Sequence, residues 1–183
     1  MIKKDLREEI EILEGINTSI ENNEIIMKND NGELKRKISP MVKTEIKDNK
    51  ITLEVEKSNK NQKKMFGTMK AHIKNMIKGL TEKFQYKLQV ANVHFPMTAE
   101  HDKDKNELVI KNFLGEKQDR RIKLVEGVDI KIDKEIIELE SIDIEKAGQC
   151  AANIEKGAKV RDKDRRIFQD GIFITEKPGR TFK

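Results

Sequence analysis

The chain has 183 residues, 39% of them charged and 36% hydrophobic, with no Trp, one Tyr and one cysteine. That supports one domain or two small regular ones, and the lone Cys150 excludes an internal disulfide or a thiolate metal cluster and fits a reducing compartment. No apolar run approaches the roughly 20 residues that cross a bilayer, and acids interrupt the opening MIKKDLREEIEILEG where a signal peptide needs an apolar core, so the expectation is a soluble cytoplasmic protein with no membrane partner.

Residues 8–58 alternate apolar and polar side chains in short runs: EIEIL (9–13), TSIE (18–21), EIIMK (24–28), ELKRKI (33–38), VKTEI (42–46) and ITLEV (51–55). Asn22-Asn23, Asp30-Asn31-Gly32 and Asp48-Asn49 separate them, and these residues tolerate the backbone of tight turns. The pattern predicts antiparallel strands joined by hairpins. Over residues 60–88 the period changes. Met65, Met69, Ile73, Met76, Ile77, Leu80 and Phe84 recur at steps of three and four, an amphipathic helix laid on a sheet. Lys70, Lys74 and Lys78 form a separate row on it. Gly67 falls in its early turns, where a close approach of another backbone is expected.

Strand patterns return at 88–95, 107–113, 120–125, 128–132 and 135–139. A shorter helix follows, with Ser141 and Asp143 as caps and Ile144, Ala147, Cys150, Ala151 and Ile154 on one stripe. Cys150 reads as a small core residue on that stripe. The halves align at a constant offset of 86: Lys35 with Arg121, Ile38 with Leu124, Val42 with Val128, Ile46 with Ile132, Ile51 with Ile137 and Leu53 with Leu139. The fold class is therefore α+β, two tandem domains of similar fold, each an antiparallel β-sheet packed on one α-helix. The expected domains are 1–86 and 87–183, the second ending in a basic tail.

Charge is unevenly spread around the formal net value of +5: segments 60–88 and 159–183 carry +7 and +4, against −2 over 1–59 and −4 over 89–158. Positive charge concentrated on an acidic body predicts an anionic partner. No catalytic constellation competes with that reading. His72, His94 and His101 lack metal-ligand spacing, there is no phosphate-cradling glycine loop or nucleophile elbow, and EHDKDKNE (100–107) lacks the glycine of a calcium loop and reads as a polar hairpin turn. The expectation is a non-enzyme without metal or cofactor. The closing KVRDKDRRIFQDGIFITEKPGRTFK combines Lys159, Arg161, Lys163, Arg165 and Arg166 with Phe168, Phe173 and a turn at Gly171. Arg can fork onto phosphate. Ile172 and Ile174 read as an inward-facing last strand, and the terminal PGRTFK, with Lys177, Arg180 and Lys183 around it, as an extension that orders on a partner.

GTMKAHIKNMIKGLTEKF (67–84), HFP (94–96), NFLGEK (112–117) and DRRIFQDGIF (164–173) occur in an order and spacing that resemble the universal large-subunit ribosomal protein six, the L-six family, in its archaeal and eukaryotic branch. The resemblance spans essentially the whole chain and implies two tandem domains of related fold. It implies a structural constituent of the large subunit that binds large-subunit rRNA near the sarcin–ricin loop and the base of the factor-binding stalk, on cytoplasmic ribosomes. Its expected rRNA contacts are Lys159, Arg161, Lys163, Arg165, Arg166 and Gly171, with Lys177, Arg180 and Lys183 added in a terminus that departs from bacterial members. Neighbouring stalk-base proteins and translation factors are the further expected partners, without homo-oligomerisation. Lys70, Lys74 and Lys78 are assigned a secondary RNA or protein contact from charge alone. The alternative is a non-ribosomal RNA- or protein-binding module.

Overall fold

The structure, a computed structural model, describes residues 4–47, 49–164 and 166–182. The chain divides into two compact units, Met1–Lys83 and Phe84–Lys183. In the first, strands β1 (Lys4–Glu11), β5 (Lys43–Lys47) and β6 (Lys50–Ser58) form one antiparallel sheet in the order β1-β6-β5. Strands β2 (Asn17–Glu21), β3 (Glu24–Asn29) and β4 (Gly32–Lys37) form a second, in chain order. Helix α1 (Lys60–Thr81) closes the core, where Ile25, Met27, Ile51, Leu53, Ile73 and Leu80 are fully buried. Asn59 and Gln62 start it with a reciprocal capping box: Asn59 Oδ1 accepts from Gln62 N–H, and Gln62 Oε1 accepts from Asn59 N–H, both at 2.9 Å.

The second unit repeats the plan and extends it. Strands β7 (Phe84–Ala91), β11 (Asp129–Asp133) and β12 (Ile136–Ser141) match β1, β5 and β6. The hairpin set is β8 (Thr98–Asp102), β9 (Glu107–Lys111) and β10 (Arg120–Lys123). Helix α2 (Ile144–Gly157) packs Ala147, Cys150, Ala151 and Ile154 inward. Its start is fixed twice over. Asp143 accepts from Glu145 N–H, while the buried Ser141 hydroxyl donates to the Gly127 carbonyl and accepts from Asp143 N–H. A further strand, β13 (Gly171–Lys177), pairs with the outer edge of β7, and β14 (Arg180–Thr181) folds back on it. Burial pushes the Cys150 thiol above its ordinary range.

The repeat is visible in the ladders themselves. Ile46 faces Ile51 as Ile132 faces Ile137, and Thr44 faces Leu53 as Ile130 faces Leu139. The Asn23 carbonyl accepts from Ile38 N–H, and the Asn106 carbonyl from Leu124 N–H, with both asparagines at positive φ. Those last pairs also locate a difference. From β4 to β6 the copies run 86 residues apart, but Asn23 and Asn106 are 83 apart, because the second hairpin holds three more residues between matching rungs, Ile110–Arg120 against Met27–Leu34.

Three expectations need correction. The helical period does not run to residue 88: α1 ends at Thr81, and Phe84, Tyr86, Leu88 and Val90 alternate inward along β7. Phe84 satisfies both periods, which is why the stripe overran. A Cβ at Gly67 would meet nothing within 4 Å, so no backbone approaches it there, and Phe66 is buried while Met65 is largely exposed. The terminal residues are not an extension. Pro178 and Gly179, the latter at φ +77°, make the turn between β13 and β14, and Phe182 N–H donates to the Thr175 carbonyl.

Gly157, the last residue of α2, is a glycine because of proximity. A Cβ there would lie 2.6 Å from Ile122 Cγ1 on β10. Gly157→Ala is therefore expected to cost about 1–3 kcal/mol through overpacking. Urea unfolding should show a lower midpoint at unchanged m-value, and Ile122→Ala in the same chain should recover part of the loss.

Candidate nucleic-acid interface

The segment between α2 and β13, residues 158–170, has no regular secondary structure among its described residues, yet both of its ends are fixed. At the first end stands Arg120 of β10. Its Nε and Nη2 donate to the two oxygens of Glu116, and Nη1 donates to the carbonyls of Gly157 (3.1 Å) and Lys159 (2.9 Å). The guanidinium carbon lies 3.8 Å from the centroid of the buried Phe113 ring. Arg120 thus uses the fork geometry of its side chain to close the end of α2 onto the 112–117 loop. Its hydrogen bonds hold the Glu116 carboxyl below its usual range, with Arg161 and Lys163 adding smaller through-space effects.

At the other end stands Asp170, only 3% exposed. One oxygen accepts from the Val93 and His94 backbone N–H groups, each at 2.9 Å, and the other is 2.6 Å from His94 Nδ1. A carboxylate only accepts, so Nδ1 carries the proton. Burial pushes the Asp170 carboxyl up, but the three bonds from His94 and Val93 outweigh it and its pKa falls below the ordinary value. The His94 ring stacks on Phe168 at 4.9 Å, and Lys163 Nζ sits 4.5 Å from the Phe168 centroid. HFP (94–96) and RIFQDG (166–171) are therefore parts of one anchor.

The expected site residues are placed as follows. Lys159, Arg161 and Lys163 are exposed along the segment. Arg166, with its side chain 90% exposed, turns back on Asp164, which holds the aspartate carboxyl low. Arg161 also joins Arg120, Arg121, Glu116 and Asp162 around a shallow polar cleft. Gly171 is buried rather than on the basic surface: a Cβ there would lie 3.0 Å from Phe173 Cζ and 3.3 Å from the Ala158 carbonyl oxygen. Lys177 and Arg180 lie apart from the segment, on the terminal hairpin, at 5.2 and 4.7 Å from the Phe182 centroid. Arg165 and Lys183 lie outside the described residues. In the first unit Lys74 and Lys78 are exposed, while Lys70 forms an ion pair with Glu8 of β1. Sequence reasoning missed Arg120, His94 and Asp170, since neither anchor is local in the chain. Among the described residues no group of acids, histidines or cysteine could hold a metal ion, and no helix is long and apolar enough to cross a membrane.

The second copy of a duplicated α+β unit thus displays an exposed cationic segment fixed at both ends. The profile of the family described as ribosomal protein L6 matches residues 12–83 and 100–171, one match in each unit. The chain is 42% identical over 176 residues to the large ribosomal subunit protein uL6 of Methanococcus vannielii, covering 96% of each chain. It is 42% identical over 173 residues to that of Methanobrevibacter smithii, covering 94% of this chain and 96% of the relative. The corresponding protein of Sulfurisphaera tokodaii is 42% identical over 174 residues, covering 94% and 92%. The chain belongs to the ribosomal protein L6 family, whose members are structural rather than enzymatic.

Two outcomes follow from the anchors. Because the folded Asp170 carboxyl is held low, its contribution is present above the unfolded carboxylate range and is lost as pH falls through the lower folded value. Hydrogen exchange at the Val93 and His94 amides should lose protection on acidification, and Asp170→Asn should weaken protection already at neutral pH. Asp170→Ala leaves three donors of the anchor, the Val93 and His94 N–H groups and His94 Nδ1–H, without their acceptor, so tryptic cleavage within 159–166 should quicken about tenfold. Arg120→Ala should do the same.

Proposed function

We propose that this protein is a structural component of the large ribosomal subunit that binds large-subunit rRNA through its second unit, in support of translation. The observation that carries the reading is the cationic segment 159–166, held in shape at Arg120 and Asp170, in a chain that matches large-subunit relatives over nearly its full length. Lys159, Arg161, Lys163, Arg165 and Arg166 neutralise phosphates and release condensed counterions. A-form RNA hides its major groove, so contact goes to the backbone, the 2′-hydroxyls and the shallow minor groove. Lys177, Arg180 and Lys183 extend the contact from the terminal hairpin. The buried Gly171 supports it from below the surface.

The location we propose is near the sarcin–ricin loop and the base of the factor-binding stalk, as the family resemblance implies, with neighbouring large-subunit proteins and translation factors as further partners. Lys74 and Lys78 offer the first unit a secondary contact to RNA or protein.

The test is co-sedimentation. The wild-type chain should travel with large subunits in a sucrose gradient, and Arg165→Glu with Arg166→Glu should leave it near the top with its circular dichroism unchanged. Normal incorporation of that variant would refute the site. Affinity for an rRNA fragment should fall linearly in log–log form with salt, and Lys159→Gln should reduce that slope by about one. A wild-type chain that binds RNA but never enters the subunit would favour a free RNA-binding module.

A further inference from the structure

Beside the basic segment lies an open cleft of about 750 Å³ lined by apolar and charged side chains together. Val93, Phe168 and Phe173 line it together with Lys156, Lys159, Glu155 and Asp170, and the two carboxylates are engaged, Glu155 by the Ile174 N–H and Asp170 by the Val93 and His94 N–H groups. Val93 and Phe173 are 59% and 40% exposed, although Ile172, next to Phe173 on β13, is buried. An aromatic and a branched aliphatic side chain thus share one exposed cleft with two lysines. The Phe173 ring is also pre-positioned. It lies against the Cα of Gly171, where any Cβ would displace it, so the glycine leaves the ring its seat. Phe168 on the far side is fixed by His94 and faced by Lys163.

We propose that this cleft receives one unpaired nucleobase of RNA, stacked on Phe173, with its flanking phosphates at Lys156 and Lys159. The inference rests on the RNA-docking reading and adds to it a single-stranded contact. A protein side chain could fill the apolar part of the cleft, but the two exposed lysines beside it favour a ligand that joins negative charge to a flat apolar body. A nucleotide within an unpaired loop has that form, since every base presents a stacking face. The cationic segment alone supplies salt-dependent, sequence-blind attraction, whereas the cleft selects for bases out of a helix.

The experiment compares two RNA probes, a stem with an unpaired tetraloop and the same stem as a blunt duplex, binding to the full chain. The wild-type chain should prefer the stem-loop. Phe173→Ala should weaken the stem-loop roughly tenfold and leave the duplex and the salt slope unchanged. Phe173→Tyr should retain binding, and Val93→Ser, at an exposed position, provides a second variant with little risk to folding. A 4-thiouridine in the loop should crosslink to the peptide carrying Phe168–Phe173. Equal loss on both probes, or no loss on either, would overturn the proposal, the second result reassigning the cleft to a protein neighbour. If the wild-type chain bound neither probe nor an rRNA fragment, the docking reading itself would fall, so the two failures are distinguishable.

Discussion

The organisation of the second unit depends on one guanidinium. An irregular segment keeps its course only if its ends are tied, because each ordered residue costs about 1–2 kcal/mol of backbone entropy. Arg120 ties the departing end of α2, and it can do so because its donors are already oriented by Glu116 and its plane is covered by Phe113. A lysine would offer a point charge in place of that fork. Asp170 closes the other end with bonds to the Val93–His94 backbone and to the His94 ring. Between these anchors the cations are displayed on a frame set before any partner arrives. In the proposed function, docking on RNA need not carry the full ordering cost of the segment, which favours affinity and a fixed geometry.

The charges around the segment divide by how firmly they are held. Glu116–Arg120 is part of the framework: Arg120 also serves two carbonyls, so its charge cannot be lent to a phosphate without opening the end of α2. Asp164–Arg166 is exposed and solvent-screened, so exchange of the aspartate for a phosphate costs the fold little. Lys159, Arg161 and Lys163 stand in water. Structural cations and those of the proposed contact thus share a short stretch of surface, and net charge does not separate them.

Much of the fold was legible because its signals are local. The alternation in 33–38 and 51–55, the step of three and four through Met69, Ile73 and Ile77, and the asparagine turns each state their own geometry. The repeat was legible wherever register is set by hairpins, as in Ile46–Ile51 and Ile132–Ile137. Legibility failed where one residue fits two periods, as Phe84 does, and where the cause is distant. Asp170 bonds to residues 76 and 77 positions away, so the sequence offered His94 only as a histidine without a partner. Gly171 was noticed for its turn. Its neighbours, the Phe173 ring and the Ala158 carbonyl, give the physical reason for it. The terminal Pro178-Gly179 was read for its basic surroundings when its turn chemistry was the stronger signal.

The extra three residues between β9 and β10 set the two copies on different courses. They make room for Phe113 and Glu116, and the connection reaches its shape with Asn112 and Leu114 both in the left-handed region and Asn112 Nδ2 donating to the Pro96 carbonyl. The first unit closes the same hairpin with Asp30 and Asn31 alone. It has nowhere to seat an equivalent of Phe113, hence no platform on which an arginine could stack. A short insertion in one copy of a duplicated chain thus lets the two copies diverge in what their loops can hold while their ladders keep one register.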